Sequence, residues 1–167
     1  LNSMSKLFSV ASWNVEHFKG ADDPNQAERC SRVINFLKAQ DPDVFGIYEV
    51  EGKEVFRDIT AKMPNYTFHI TEGPQMQEIL VGVKSGITSF FTQKITFKSG
   101  VNALRPGALL TLTIQGKYYS LLFLHAKSAS NPRSFGLRDD IIYRSLKFAK
   151  VLDRVSPNNQ ANYIVLG

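Results

Sequence analysis

Short apolar segments and amphipathic segments alternate along the first part of the chain. Leu7–Trp13 and Val44–Tyr48 are apolar runs of strand length. Between them, apolar side chains recur at helical spacing, at Ala27, Cys30, Val33, Ile34 and Leu37. Asp23 as N-cap and Pro24 in the first turn predict where this helix begins, and the Asp-Pro step at Pro42 predicts its end.

A second helix carries apolar side chains at Val55, Phe56, Ile59 and Met63, and Pro64 terminates it. Runs typical of strands follow at Tyr66–Thr71, Ile79–Lys84, Ile87–Lys98, Leu109–Ile114 and Lys117–Leu124, and Gln115-Gly116 forms a tight turn between the last two. This order predicts a mixed α/β layered domain.

The last part of the chain predicts one more helix and one more strand. The helix runs from about Ser134 to Val155, and Tyr163–Leu166 begins the strand. The apolar seam predicted for this helix consists of Ile142, Leu146, Ala149, Leu152 and Val155.

The composition is that of an ordinary globular domain, with 43% hydrophobic and 21% charged residues in 167. Leu1-Asn2-Ser3 before Met4 is interpreted as a tag remnant, so residues 1–5 are set apart from the domain at 6–167. The single cysteine, Cys30, excludes an internal disulfide, and no secretory signal is recognised. We therefore expect a cytoplasmic protein, with a periplasmic or secreted form as the alternative if a leader was removed.

The net charge of +5 suits an anionic partner such as a nucleic-acid backbone, although a solubilising surface explains it equally well. Lys127, Arg133 and Arg138 are candidates for contact with such a polyanion, and a solvated loop and helix start is their alternative interpretation.

Polar residues at the ends of apolar strands are the candidates for chemistry, because strand ends commonly display functional groups. Asn14 can hydrogen-bond a phosphate, Glu49 can bind a hard cation, and His125 can contact a phosphoryl oxygen. Arg105, in a tight Leu-Arg-Pro-Gly segment, is suited to phosphate contact. Taken singly, each has a structural alternative: a turn residue, a surface acid, a structural histidine or a surface arginine.

The combination is more specific, because four segments match one family in order and spacing. They are Ala11-Ser-Trp-Asn-Val15, Pro42-Asp-Val-Phe-Gly-Ile-Tyr-Glu49, Leu124-His-Ala-Lys-Ser128 and Tyr163-Ile-Val-Leu-Gly167. In these the chain resembles the N-terminal portion of the endonuclease/exonuclease/phosphatase family, which has the deoxyribonuclease I-like fold, and it is most similar to bacterial members. The resemblance implies a four-layer α/β/β/α sandwich, of which this chain supplies the first sheet, its helices and the start of the second half.

The resemblance also implies roles for individual residues. Asn14 matches the asparagine near metal and phosphate, Glu49 the metal-binding glutamate, and His125 the histidine that contacts the scissile phosphate. Glu78 resembles the acid that pairs with this histidine, and Arg105 resembles a phosphate-contacting arginine. The implied cofactor is Mg²⁺, with Mn²⁺ or Ca²⁺ as alternatives.

Two positions depart from the family pattern. Tyr48 stands where a glutamine usually precedes the metal-binding glutamate. Glu51 stands where the deoxyribonuclease branch has an arginine that enters the DNA minor groove, so minor-groove contact by arginine is not expected here.

In the family, the last matched strand runs into an Asp-x-Asn segment and a later Asp-His pair, which activate the water. We therefore expect the 167 residues to hold the metal and phosphate part of a site. An open apolar sheet face is also expected, to be explained by a longer protein, by a homodimer that covers the face, or by a non-catalytic fragment.

The resulting hypothesis is a divalent-metal-dependent phosphodiester hydrolase, a nuclease acting on DNA. A phosphatase or phosphodiesterase on a small or lipid phosphoester is the first alternative, and a truncated non-catalytic binding module is the second.

Overall fold

A computed structural model describes residues 5–22, 24–73, 77–97, 106–126 and 130–167. The chain divides into two compact units. The first comprises Leu1–Ile70 and Met76–Gly86, and the second comprises Thr71–Gln75 and Ile87–Gly167.

The first unit is a four-stranded sheet with two helices. Its elements in chain order are β1 (Val10–Lys19), α1 (Pro24–Gln40), β2 (Val44–Glu51), α2 (Lys53–Lys62), β3 (Tyr66–Ile70) and β4 (Glu78–Lys84). The strand order is β1-β2-β4-β3, with β1 and β2 parallel and the other two pairs antiparallel. Since α1 connects two parallel strands, β1–α1–β2 is a βαβ crossover.

The predicted helix faces form the core of this unit. Cys30, Val33, Ile34 and Leu37 of α1 are buried, as are Val55 and Ile59 of α2. They pack in one cluster with Phe45, Ile47 and Leu80 of the sheet. The burial of Cys30 is therefore confirmed, and α1 begins at the predicted Pro24. The proposed N-cap, Asp23, lies outside the described residues.

The second unit contains another four-stranded sheet and one long helix. Its elements are β5 (Thr88–Lys94), a 3₁₀ turn at Ile95–Phe97, β6 (Gly107–Ile114), β7 (Lys117–Phe123), α3 (Pro132–Val155), a 3₁₀ turn at Pro157–Asn159 and β8 (Asn162–Leu166). The order is β5-β6-β7-β8, and only the β7–β8 pair is parallel within the described strands. Gln115 and Gly116 both have positive φ, at 50° and 74°, which confirms the tight turn between β6 and β7.

The predicted seam of α3 is wrong for three of its five residues. Ile142, Leu146 and Val155 are exposed, at 57%, 60% and 76%. The helix instead buries Ile141 and Ser145, and Phe148 packs against the same apolar cluster. The face that contacts the sheet contains buried serines, and apolar residues such as Ile142 and Leu146 lie on the exposed side, so the apolar seam alone selects the wrong side.

The expected open sheet face is not found in the first sheet, because β2 and β4 are buried along nearly their whole length. Among the described residues, six of the thirteen exposed large apolar side chains lie on α3, and two, Ile164 and Val165, lie on β8. No helix in the described part of the chain is long and apolar enough to cross a membrane.

Candidate metal and phosphate site

The candidate site lies in the irregular part of the parallel strands β1 and β2, toward their carboxyl ends. Asn14 is aligned with Tyr48, the residue before Glu49, so the two predicted polar residues come together at the same end of the sheet. Ligand sites commonly form at the carboxyl ends of parallel strands, because the side chains and loops there converge. The pairing of Asn14 and Glu49 is thus a consequence of the βαβ connection.

Both strands are irregular at this point. The β1–β2 register shifts between Asn14 and Phe18, and the β2–β4 register shifts between Ile47 and Val50. Glu16, His17 and Glu49 have left-handed backbones, with φ of 43°, 48° and 61°. Such conformations cost non-glycine residues about 1–3 kcal/mol each and persist only where surrounding contacts hold them, which is commonly at functional sites.

The Glu49 carboxylate accepts hydrogen bonds from three residues, two in β1 and one directly before β4. Asn14 Nδ2 donates to Oε1 at 3.1 Å, and the backbone N–H of His17 donates to Oε2 at 3.2 Å. Gln77 Nε2, directly before β4, donates to the same Oε2 at 3.2 Å. These donors fix the position of a carboxylate that is only partly buried and still faces solvent.

The Asn14 side chain is oriented at both ends of its amide. While Nδ2 donates to Glu49, Oδ1 accepts from the backbone N–H of Glu16 at 2.9 Å. Only one of the two Nδ2 protons is needed for Glu49, so an exposed Asn14 has a second N–H to offer a phosphate oxygen.

A second carboxylate, Glu51, lies beside the first and pairs with His17. His17 Nδ1 is 2.5 Å from Glu51 Oε1, and the Lys19 ammonium is 3.8 Å from the other oxygen. The hydrogen bond that His17 donates to Glu51, followed by the charge of that carboxylate, raises the pKa of His17. Burial raises the pKa of Glu51, but the hydrogen bonds from His17 and Gln77 outweigh it, so the pKa lies below its ordinary value. The favoured state is therefore an imidazolium–carboxylate pair.

Gln77 connects the two carboxylates. Its Nε2 lies 3.2 Å from Glu49 Oε2 and 3.4 Å from Glu51 Oε1, so its two N–H groups serve one carboxylate each. Nε2 is also 3.3 Å from His17 Nδ1. Because that ring nitrogen carries the proton in the ion pair, we assign both amide protons to the carboxylates.

Arg29, on α1, holds the irregular part of β1 from the opposite side. Its guanidinium donates to the backbone carbonyls of Val15, Glu16 (2.5 Å) and His17 (3.1 Å). It also donates to Gln26, one turn earlier in the helix. Sequence reasoning missed His17, Gln77 and Arg29, because nothing in the pattern of α1 or β1 marks them.

The remaining predicted site residues are distributed as follows. Glu78 begins β4 in the first unit, where it is aligned with Val50. His125 belongs to the second unit and follows β7, directly after Leu124, whose backbone N–H donates to the Leu166 carbonyl at 2.8 Å. Arg105 and Lys127 lie outside the described residues. The roles given to His125, Glu78 and Arg105 stay predictions.

Two other cations named from the sequence lie on α3. Arg133 is exposed in its first turn. The Arg138 guanidinium lies 4.4 Å from the centre of the Phe135 ring, a cation–π contact at the surface.

The Glu49 carboxylate is a suitable ligand for a hard divalent cation. Among the residues that the structure describes, no three His, Cys, Asp or Glu side chains form a group able to hold a metal ion on their own. Mg²⁺ does not require such a cage, because it commonly takes one or two carboxylates and fills its other positions with water and phosphate oxygens. Glu49, preoriented and open to solvent, meets this requirement.

Tyr48, at the position of the usual glutamine, points into the protein. It is 2% exposed, and its hydroxyl lies 3.0 Å from Ser12 Oγ of β1. Burial raises the pKa of Tyr48 to about 12. Tyr48 therefore links β1 to β2 beneath the site as a neutral phenol, and the residue directly before Glu49 offers no group to a ligand.

Comparison with known proteins places the fold. No family model matches the sequence, and no curated protein does. Solved structures match at high probability, among them D. rerio TDP2 complexed with a single-strand DNA product, at 18% identity and a TM-score of 0.66, over 95% of this chain and 58% of that one.

Two bacterial structures match as well. A mannosyl-6-phosphatase of Bacteroides thetaiotaomicron matches at 15% identity and a TM-score of 0.62, over 89% of this chain and 61% of that one. An endonuclease/exonuclease/phosphatase family protein of the same organism matches at 15% identity and a TM-score of 0.64, over 89% and 59%. The chain thus has the fold of the endonuclease/exonuclease/phosphatase proteins, as the sequence segments predicted. It spans less than two thirds of the length of each of these structures.

Proposed function

We propose that this chain supplies the metal- and phosphate-binding part of a divalent-metal-dependent phosphoesterase that cleaves phosphodiester bonds in DNA. The observation that carries the proposal is the Glu49 carboxylate, held at the end of β2 by Asn14, the His17 amide and Gln77. A similarly folded protein is complexed with a single-strand DNA product, and the net charge of +5 here suits the same kind of ligand.

In this proposal Glu49 holds the cation, with Mg²⁺ favoured over Mn²⁺ or Ca²⁺. When bound, the cation supplies charge neutralisation at the phosphate and at the leaving oxygen. Asn14 donates its second amide proton to a phosphate oxygen and so orients the ester over Glu49. The phosphate contacts that the sequence resemblance implies for His125 and Arg105 stay predictions.

The test is cleavage of supercoiled plasmid by the protein that contains this chain, with Mg²⁺ and after its removal by a chelator. Glu49→Gln keeps the shape and removes the charge, and we expect it to lower the rate by at least ~100-fold while the protein stays folded. Glu28→Gln is the matched control, because Glu28 is an exposed acid on α1 that, within the described residues, pairs with Arg32 of the same helix. A rate that survives both Glu49→Gln and the chelator refutes the proposal. Binding of DNA without cleavage by the unmodified protein supports the non-catalytic binding module instead.

A second candidate, a phosphatase acting on a small phosphoester, is favoured by one observation. Glu51 and His17 form an ion pair beside Glu49. In the deoxyribonuclease branch the position of Glu51 holds an arginine that enters the DNA minor groove. A similarly folded bacterial protein is a mannosyl-6-phosphatase. Release of inorganic phosphate from sugar phosphates, with no plasmid cleavage under the same conditions, would select this candidate.

A further inference from the structure

The contacts of Arg29 show a one-to-one match of donors and acceptors. Its two terminal nitrogens carry four N–H groups, and four oxygens accept from them: the carbonyls of Val15, Glu16 and His17 and the side-chain oxygen of Gln26. The three carbonyls are successive, so one guanidinium fixes the direction of three consecutive peptide groups. Gln26 lies on the same helix, and its side-chain oxygen helps to orient the Arg29 guanidinium.

Two of these peptide groups also contact the candidate site. The peptide that joins Val15 to Glu16 offers its carbonyl to Arg29 and its N–H to Asn14 Oδ1. The next peptide, from Glu16 to His17, offers its carbonyl to Arg29 and its N–H to Glu49 Oε2. The described peptides are trans, and in a trans peptide the C=O and N–H bonds point in opposite directions. Fixing the carbonyl on the Arg29 side therefore aims the N–H at the site.

The backbone needs this support. Glu16 and His17 are non-glycine residues with left-handed φ, and Glu16 is not of a type that is enriched in that conformation. Three carbonyl oxygens directed at one point also repel one another, and a planar cation with a fixed fork of donors offsets this repulsion. A lysine has the charge but not the fork, so it can satisfy only part of the set.

We propose that Arg29 is a positioning residue. It orients Asn14 and Glu49 by fixing the two peptide groups of β1 whose N–H groups donate to these side chains. The expected effect on metal binding rests on the proposed function, because a Glu49 carboxylate that loses the hydrogen bond from the His17 amide holds a cation less well. Outer contacts of this kind typically contribute 10- to 100-fold to metal affinity.

Two measurements on the same variants test the proposal. The first is made without metal and follows the backbone N–H resonances of Glu16 and His17 by NMR. The second is calorimetric titration with Mn²⁺, with Glu49→Gln to identify the site. The variants are Arg29→Ala and Arg29→Lys. The control is Arg32→Ala. Arg32 lies three residues away on the same helix and, in the described part of the chain, pairs with Glu28 on the surface.

We expect Arg29→Ala to move both amide resonances toward the positions of weaker hydrogen bonds and to weaken Mn²⁺ binding by at least ~10-fold. Arg29→Lys should fall between Arg29→Ala and the unmodified protein, and Arg32→Ala should match the latter. If Arg29→Ala does not fold, Arg29→Lys alone decides, because it keeps the charge and the aliphatic stem.

The two measurements separate the two possible failures. If both resonances stay in place in Arg29→Lys and in any folded Arg29→Ala protein, the positioning role is refuted. If the unmodified protein shows no Mn²⁺ binding that depends on Glu49, the proposed function fails. The amide resonances still decide the role of Arg29 in that case.

Discussion

Gly82 occupies the centre of the first sheet, where an added methyl group has no room. It lies on β4, aligned with Phe45 on one side and Phe68 on the other. A Cβ atom built on Gly82 would lie 2.4 Å from Phe45 Cζ, 2.5 Å from Cε1 and 2.9 Å from Cε2. Ordinary carbon–carbon contacts are about 3.5–4.0 Å, so Gly82→Ala requires a movement of about 1 Å or more.

The Phe45 ring cannot easily supply that movement. It is fully buried and packs against the rings of Tyr66 and Phe68, with centroids 5.4 Å and 6.0 Å away. Overpacking of a close-packed core costs about 1–3 kcal/mol, and a ring held on several sides belongs near the upper end of that range. We therefore expect Gly82→Ala to lower the free energy of unfolding of the first unit by about 2–3 kcal/mol.

The assay is urea unfolding followed by tryptophan fluorescence. Trp13 is the single tryptophan, and it lies in β1 of the same unit with its ring 5.1 Å from that of Phe36 in α1. Its emission thus reports on the unit that contains Gly82 and the candidate site. A lower urea midpoint with an unchanged slope is the expected result.

The background Phe45→Leu provides the control, because leucine lacks the ring atoms that the new methyl group meets. In that background Gly82→Ala should cost at least about 1 kcal/mol less than in the unmodified protein. An equal loss in both backgrounds would show that the ring is not the cause. A loss below about 0.5 kcal/mol in the unmodified protein would refute the packing argument altogether.

Three further predictions concern charge and helix stability. Burial raises the pKa of Asp43, but hydrogen bonds from Ser9 and the charge of Lys6 outweigh it, so the pKa lies below its ordinary value. Asp43 therefore stabilises the fold above its unfolded-state pKa of about 4, and this contribution is lost as the pH falls through the lower folded pKa. Asp43→Asn should flatten the acid side of a plot of Tm against pH, and an unchanged acid side would contradict the assignment. Asn131 caps α3 by accepting from the Ser134 N–H at 2.9 Å, so Asn131→Ala should cost about 1 kcal/mol in thermal unfolding followed by circular dichroism, and Asn131→Asp much less. Gly136 lies in the same helix with open space where a Cβ atom would be added, so Gly136→Ala should gain about 0.5–1 kcal/mol, and a loss would indicate a contact that the structure does not show.

The helices and strands could be predicted from the sequence because their signals are local. Pro24 begins α1, Pro64 follows the end of α2, and Gln115-Gly116 turns β6 into β7. The face of α3 could not be predicted in the same way. Its inward side combines the buried Ser134 and Ser145 with apolar residues such as Ile141 and Phe148, so hydrophobicity alone does not mark the contact.

The candidate site was predictable to the same extent. Asn14 and Glu49 stand at strand ends in the sequence, and a parallel pairing brings strand ends together. The sequence predicted that β1 ends at Trp13, because Asn14, Glu16 and His17 are polar. The strand instead continues to Lys19 through a bulge that resumes pairing at Phe18. That bulge depends on tertiary contacts with β2 and with Arg29 of α1, so Arg29 and His17 carry no local signal.

The position of Glu49 is the point where stability and chemistry oppose one another. A left-handed φ within a strand is unfavourable for most residues with a side chain. Glycine or asparagine would adopt φ near 61° at lower cost. Glutamate is present there all the same, and Asn14, His17 and Gln77 each give it a hydrogen bond. Stability alone would not select a strained residue whose carboxylate must also be held by three donors. Strain of this kind is common at functional sites, and it supports the proposal that the Glu49 carboxylate binds a cation and its phosphate ligand.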